Sequence, residues 1–330
     1  MPYPMPKVLI VDDVHALLTE GLAEKGFEVH YRPDIAAAEV AELIVDMGIQ
    51  GLVVRSKMRL DAEFFQRVQG ILAWVGRAGA GLDNLDLDAA EVCGVFCFNS
   101  GEANSVAVGE HTLGMLLSLL RNLGKGNLEV RRGLWDREGN RGVELQGLVV
   151  GVLGFGNTGS AVCNRLMGFG CSVIAVDKYK KGFAPAFDVD LLQAKQRNRE
   201  GVIFEGSLED LFTYSDVLTL HVPLSSETRN WMNMSQLDKF AKPFWLLNLS
   251  RGEVVETKSV LQGLRTGKIL GFAADVLEVE PPFHGLPEWE ELMEFSNVIF
   301  SPHVGGWTVE SYRKISEVLL AKVLDYCGLE

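Results

Sequence analysis

The chain has 330 residues, a formal net charge of −13 at pH 7 and five cysteines. That length lies near the limit of a single hydrophobic core, so two domains are expected, and the negative charge argues against nucleic acid and anionic membranes as partners. An odd cysteine count without a C-x-x-C pair points to reduced thiols and a cytoplasmic protein.

The N-terminus, Met1-Pro2-Tyr3-Pro4-Met5-Pro6, lacks the basic-apolar pattern of a signal peptide. The first strand follows as Lys7-Val8-Leu9-Ile10-Val11 and ends in Asp12-Asp13. An acidic pair there imitates a response-regulator receiver. The comparable third strand, Leu52-Val53-Val54, runs into Arg55-Ser56 rather than a phosphoacceptor aspartate, so only the α/β architecture is kept. Leu113, Leu116, Leu117 and Leu120 form a helical stripe that reads as core or subunit interface. The apolar run around them is too short to span a bilayer.

The strongest signal comes next. Leu148 to Leu153 is an apolar strand, followed by Gly154-Phe155-Gly156-Asn157-Thr158-Gly159 and by a stretch, Ser160 to Phe169, that can form a helix. Cys171 to Val176 reads as a second buried strand ending at Asp177. This order of strand, glycine turn, helix, strand and acid is a dinucleotide-binding fingerprint. Gly154 permits the tight turn, Gly156 lets a pyrophosphate approach the backbone, and Gly159 lets helix and strand pack closely. The helix N-terminus offers N–H groups and a positive dipole end to phosphates. Asp177 suits the ribose hydroxyls and opposes a 2′-phosphate, which favours NAD over NADP, although Lys178, Lys180 and Lys181 could reach a phosphate. The polar stretch Lys181 to Glu200 is expected to be a surface excursion beside the adenosine site.

Four later strands end in residues with chemistry to offer. Val217 to Val222 carries His221, which would line the adenine side of a cofactor cleft. Leu246 to Leu249 delivers Ser250-Arg251-Gly252. Gly271 to Val276 contains Asp275 and leads through Leu277-Glu278-Val279 to Glu280-Pro281-Pro282. Asn297 to Pro302 delivers His303. Ligands of open α/β sheets bind beyond the carboxyl ends of the strands. Histidine is the natural base near neutral pH, a glutamate can hold and stabilise its imidazolium, and an arginine can grip a carboxylate bidentately. His303, Glu280 and Arg251 supply that set. His15, His30 and His284 stand in no motif and His111 lies on a helix. No histidine cluster suggests a metal site.

The segments GFGNTG, LLNLSRGEVV, AADVLEVEPP and SPHVGG, in that order, resemble the D-2-hydroxyacid dehydrogenase family. The resemblance implies an NAD-dependent oxidoreductase with Arg251, Glu280 and His303 catalytic and Asp275 against the nicotinamide carboxamide. It implies two Rossmann-like, doubly wound parallel-sheet α/β domains, the nucleotide domain inserted in the substrate domain. The substrate domain would comprise residues 1–103 and 304–330, the NAD-binding domain 104–303, and the cleft between them would close on substrate.

Val53-Val54-Arg55-Ser56 and Val75 to Asn84 are similar to the phosphoglycerate dehydrogenase branch of that family. This implies a substrate-binding set of Arg55, Ser56 and Lys57 with the loop Arg77-Ala78-Gly79-Ala80-Gly81. The implied substrate is 3-phosphoglycerate or 3-phosphohydroxypyruvate, as in serine biosynthesis. The alternatives are a glyoxylate, hydroxypyruvate or other 2-keto acid reductase, and, in another class, an NAD-sensing corepressor-like interaction protein. Trp307 departs from the small polar residue common in that branch. With only one helix, about Thr308 to Tyr326, after His303, no serine-sensing domain is expected. Pairing through Val106 to Leu120 and Leu134-Trp135 would give a two-fold homodimer, with Arg137 of one subunit adding to the other's substrate site.

Overall fold

The structure is a computed structural model that describes residues 5–281 and 287–329. Met1 to Pro4, Pro282 and His284 lie outside the described residues. The chain divides into two compact units, residues 1–104 with 307–330, and residues 105–306.

Among the described residues the first unit has a five-stranded sheet. Its strands are β1 (Lys7–Ile10), β2 (Glu28–Tyr31), β3 (Gly51–Val54), β4 (Trp74–Arg77) and β5 (Phe96–Asn99). They run parallel in the order β2-β1-β3-β4-β5. Strands covered by helices on both sides need apolar residues at every position. Accordingly Leu9, Leu52 and Val54 face Ile44 and Phe65, while Val8, Ile10 and Val53 face Leu18 and Leu22. The second face is completed by the terminal helix Val309–Tyr326, whose Ile315, Leu319 and Val323 join that core. Thr308 caps this helix in a reciprocal box with Ser311.

The second unit has a seven-stranded parallel sheet built from β6 (Val149–Leu153), β7 (Ser172–Val176), β8 (Val202–Glu205), β9 (Val217–Leu220), β10 (Phe244–Asn248), β11 (Ile269–Ala274) and β12 (Val298–Phe300). The order is β12-β11-β10-β9-β6-β7-β8. The chain steps outward from β6 to β8 and returns beside β6 as β9, so the topological switch lies between β6 and β9. The helices Ser105–Leu120 and Asn157–Leu166 cover one face with Leu116, Leu119, Val162 and Leu166. Leu211, Phe240, Val260 and Leu264 cover the other. Both units are therefore doubly wound, and the leucine stripe is core at Leu116 and Leu120.

The stretch Lys181 to Glu200 is more than a surface excursion. It contains the helix Val189–Asn198, started by the Asp188 carboxylate accepting from Leu191 N, with Leu192 buried. Phe183 stacks on Phe155 with ring centroids 4.0 Å apart, and Phe187 packs on Phe204 and Tyr214. Its polar composition hid three aromatic and aliphatic anchors. The helix after the glycine turn also begins at Asn157, earlier than expected, because Gly156 stands at its N-cap.

Candidate functional site

The glycine turn leaves β6 at the switch point. Gly154 adopts φ +96°, and a Cβ there would lie 2.4 Å from the His221 carbonyl oxygen. A Cβ on Gly159 would lie 1.9 Å from the Gly154 carbonyl oxygen. A Cβ on Gly156 meets nothing within 4 Å, so it would project into open space above the first turn of the helix. A bare backbone facing open space at a helix N-terminus fits an approaching pyrophosphate.

Asp177, just past β7, is tied to this turn. Its Oδ2 accepts from Phe155 N at 2.7 Å, and its Oδ1 accepts from Tyr179 N and Lys180 N, both at 2.8 Å. Partial burial opposes its charge, but the amides of Lys180, Phe155 and Tyr179 and the Lys180 cation outweigh it. The carboxyl lies below the usual aspartate value. Two of the three neighbouring lysines are engaged elsewhere: Lys178 Nζ donates to both Glu227 oxygens and Lys181 Nζ to the Asp177 carbonyl at 2.9 Å. We therefore expect NADH to bind more tightly than NADPH; fluorescence titration with NADPH as the tighter ligand would reverse this assignment.

His221 follows β9. Its Nε2 sits 2.9 Å from Thr219 Oγ1, and burial pushes its pKa down to about 3, so the ring is neutral. It packs beneath the glycine turn.

Arg251, Glu280 and His303 lie beyond the carboxyl ends of the adjacent strands β10, β11 and β12. Gly252 brings the arginine turn against the next one, since a Cβ there would lie 1.8 Å from the Leu277 carbonyl oxygen. Arg251 Nη1 donates to the Ser250 carbonyl at 2.7 Å, and Asn248 Nδ2 holds the Arg251 carbonyl at 2.9 Å. Glu280 Oε1 accepts from Leu277 N at 2.9 Å, and its Oε2 lies 2.8 Å from His303 Nδ1. Burial opposes the Glu280 charge, but His303 and the Leu277 amide outweigh it and hold the carboxyl below its usual value. An ionised carboxylate only accepts hydrogen bonds, so Nδ1 carries a proton and Nε2 is left for chemistry. His303 itself is left-handed at φ 55°, a conformation that costs about 1–3 kcal/mol in a non-glycine residue.

Asp275 holds that conformation. Its carbonyl accepts from His303 N at 2.8 Å, its Oδ1 from Val304 N at 2.9 Å, and its Oδ2 from Gly305 N at 2.7 Å. Ser301 Oγ also donates to Oδ1, at 2.6 Å. Burial opposes the Asp275 charge, but these bonds and His111 outweigh it and lower its pKa. The stabilisation it confers is therefore present above the ordinary carboxylate range and is lost as pH falls through the lowered value.

Residues 113–305 match the model of the D-isomer specific 2-hydroxyacid dehydrogenase NAD binding domain. The chain belongs to the D-isomer specific 2-hydroxyacid dehydrogenase family. Its second unit is the NAD-binding domain of that family. The chain is similar to a D-3-phosphoglycerate dehydrogenase from Methanocaldococcus jannaschii, 32% identical over 97% of this chain and 57% of the relative. It is also similar to a hydroxypyruvate reductase from Thermotoga maritima, 30% identical over 88% of each. Thus the chain spans little more than half the length of the first relative and most of the second. The solved structure of the TT0316 protein from Thermus thermophilus superposes with a TM-score of 0.80 at 28% identity, covering 98% of both chains.

For a member of the 2-hydroxyacid dehydrogenase family, the remaining residues of interest lie in the first unit. Asn84 Nδ2 donates to the Arg55 and Met58 carbonyls at 3.0 and 2.9 Å, which joins the Arg55-Ser56-Lys57 turn to the loop after β4. Gly79 has φ +146°, and a Cβ there would collide with Arg77 Nη1, so the guanidinium folds over its own loop. Asn99 Nδ2 holds the Ala80 carbonyl, and Ser100 Oγ accepts from Gly79 N.

The cations of the turn diverge. Lys57 Nζ donates to the Pro33 and Ile35 carbonyls. The Arg55 guanidinium stacks 4.1 Å from the Trp307 ring centroid, and Nη1 donates to the Asp13 carbonyl at 3.3 Å. Arg55 N donates to Asp12 Oδ2 at 2.5 Å, and Tyr312 Oη to Asp13 Oδ2 at 3.0 Å. The acidic pair Asp12-Asp13 thus frames Arg55.

Among the described residues no group of three or more His, Cys, Asp and Glu could hold a metal ion, and no helix is long and apolar enough to cross a membrane.

Proposed function

We propose that the chain is an NAD-dependent oxidoreductase interconverting a small D-2-hydroxy acid and its 2-keto acid. The observation that carries this reading is the His303–Glu280 contact at 2.8 Å beside the Arg251 turn. NAD supplies or accepts the hydride when bound. In the oxidative direction His303 Nε2 takes the hydroxyl proton, and Glu280 stabilises the imidazolium through Nδ1. In the reductive direction the same imidazolium returns the proton to the carbonyl oxygen. Arg251 grips the substrate carboxylate and polarises the carbonyl. The glycine turn receives the pyrophosphate and Asp177 the ribose, with Asp275 placed beside the nicotinamide side of the site. Within the first unit, Arg55, Ser56 and the Arg77 to Gly81 loop are the substrate contacts that the family resemblance suggests.

Within this class the geometry favours an unphosphorylated keto acid such as hydroxypyruvate or glyoxylate. A phosphate site gathers cations, whereas Lys57 turns to backbone carbonyls and Arg55 is stacked on Trp307 beside two aspartates. The second reading, 3-phosphoglycerate and 3-phosphohydroxypyruvate, is supported by the relatives bearing the phosphoglycerate dehydrogenase name and by Arg55 and Arg77. Rates of NADH oxidation with hydroxypyruvate, glyoxylate, pyruvate and phosphohydroxypyruvate decide between them. We expect kcat/KM for hydroxypyruvate to be at least that for the phosphorylated acid. A phosphorylated preference that disappears in Arg55→Ala would establish the second reading, and turnover of no acid would leave an NAD-sensing interaction protein. Homodimer formation is supported by the exposed Leu134 and Trp135 and by the helix Leu123–Arg131, which buries none of its residues in this chain.

A further inference from the structure

His111 stands on the helix Ser105–Leu120, 190 residues before Ser301 in sequence, yet its Nε2 lies 2.8 Å from Ser301 Oγ and 3.5 Å from Asp275 Oδ1. The proton positions follow from the partners. Asp275 accepts two backbone amides and is ionised, so the Ser301 hydroxyl proton points to Oδ1 at 2.6 Å. The hydroxyl then has only lone pairs to offer His111, whose Nε2 must carry a hydrogen. A relay of donors results: His111 Nε2–H to Ser301 Oγ, and Ser301 O–H to Asp275 Oδ1. Asp275 in turn grips the amides of Val304 and Gly305. The loop also lies directly on the histidine, because a Cβ at Gly305 would be 2.8 Å from Asp275 Oδ2 and 3.4 Å from His111 Cδ2.

We propose that His111 is a positioning residue that fixes the Ser301 hydroxyl and the Asp275 carboxylate, and so holds residues 303–305 with His303 in its left-handed, Glu280-paired conformation. This rests on the reading of His303 as the acid/base group. A relaxed loop would let the imidazole leave its contact with Glu280 without altering the glycine turn or Arg251. The expected loss is therefore chiefly in kcat, with only a small change in NADH affinity through Asp275.

The test compares His111→Leu, which cannot donate, with His111→Gln, whose amide presents N–H groups at a similar reach. With hydroxypyruvate and saturating NADH, His111→Leu should lose roughly tenfold in kcat, with KM and NADH affinity held within about twofold, since small misplacements of a reacting group are costly. His111→Gln should recover most of the rate. Ser301→Ala should reproduce the loss, and the double variant with His111→Leu should fall no further, because residues of one network are not additive. Wild-type kcat in His111→Leu, or a glutamine variant as slow as the leucine variant, overturns the proposal. If His111→Leu does not fold, the Ser301→Ala rate decides it.

Amide exchange separates failure of the proposal from failure of the enzymatic reading. If the unaltered protein turns over no 2-keto acid, the acid/base role falls, and the clamp is judged on exchange alone. Faster exchange at Val304 and Gly305 in His111→Leu, restored by His111→Gln, upholds it; unchanged exchange at both amides overturns it.

Discussion

His303→Ala is expected to lower 2-keto acid turnover by a hundred- to ten-thousandfold, roughly the contribution of a positioned acid/base group, while NADH binds as in the unaltered protein. The imidazole touches Glu280, not the glycine turn, so its removal should spare the cofactor site. Glu280→Gln is the informative partner. Glutamine keeps a hydrogen-bond acceptor at Nδ1 but removes the anion that stabilises the imidazolium. Without that charge beside the ring, the pH profile of reductive kcat/KM is expected to move. Near-normal turnover in His303→Ala would remove this residue from the mechanism. An unmoved profile in Glu280→Gln would show that the glutamate only aligns the ring.

Gly159→Ala and Gly156→Ala should separate fold from cofactor within one hexapeptide. At Gly159 the new methyl would meet the Gly154 carbonyl at 1.9 Å, and both partners are main chain. Gly154 cannot retreat, because its N–H is bonded to the Val176 carbonyl at 2.8 Å and the His221 carbonyl stands behind it. We expect a loss of about 1–3 kcal/mol or more, the scale of overpacking in a rigid site, with weakened NADH binding. At Gly156 the methyl enters open space, so the melting temperature should hold while NADH affinity falls. Thermal melts and NADH titration of both variants read the two effects independently. Equal melting temperatures for Gly159→Ala and the parent would refute the packing argument, and full NADH affinity in Gly156→Ala would refute the pyrophosphate placement.

Local pattern carried much of this architecture into view. Apolar runs, the spaced glycines and the acid after β7 are signals within thirty residues of one another, and they marked the nucleotide unit and its glycine turn. The strand ends likewise pointed to Arg251, Glu280 and His303, since the residue after an apolar run is where a parallel sheet exposes side chains. Side-chain partnership across long sequence separations left no such trace. Nothing near His111 indicates Ser301, and nothing near Arg55 indicates that Trp307 lies flat beneath it. Lys57 looked like a companion to Arg55 by adjacency, yet neighbouring residues in a turn diverge, and its ammonium reaches Pro33 and Ile35 instead. The segment Lys181 to Glu200 misled for a related reason. Its average is polar, whereas its packing depends on Phe183, Phe187 and Leu192 taken singly.

The terminal helix Val309–Tyr326 has a consequence for how the chain is made. Leu319 and Val323 are wholly buried among Val8, Ile10 and Trp74, residues that leave the ribosome between 245 (319 − 74) and 315 (323 − 8) positions earlier. The inserted unit is continuous from 105 to 306 and has all its own strands before that helix is synthesised. Domains fold as units, earlier ones first, during synthesis. Here the order is inverted: the first unit's sheet begins first, and the part of its apolar face beyond Leu18 and Leu22 waits for this helix while the other unit is completed. A nascent chain stalled before Val309 would thus present that part of the face to chaperones, and emergence of Val309 to Tyr326 is the event that seals it.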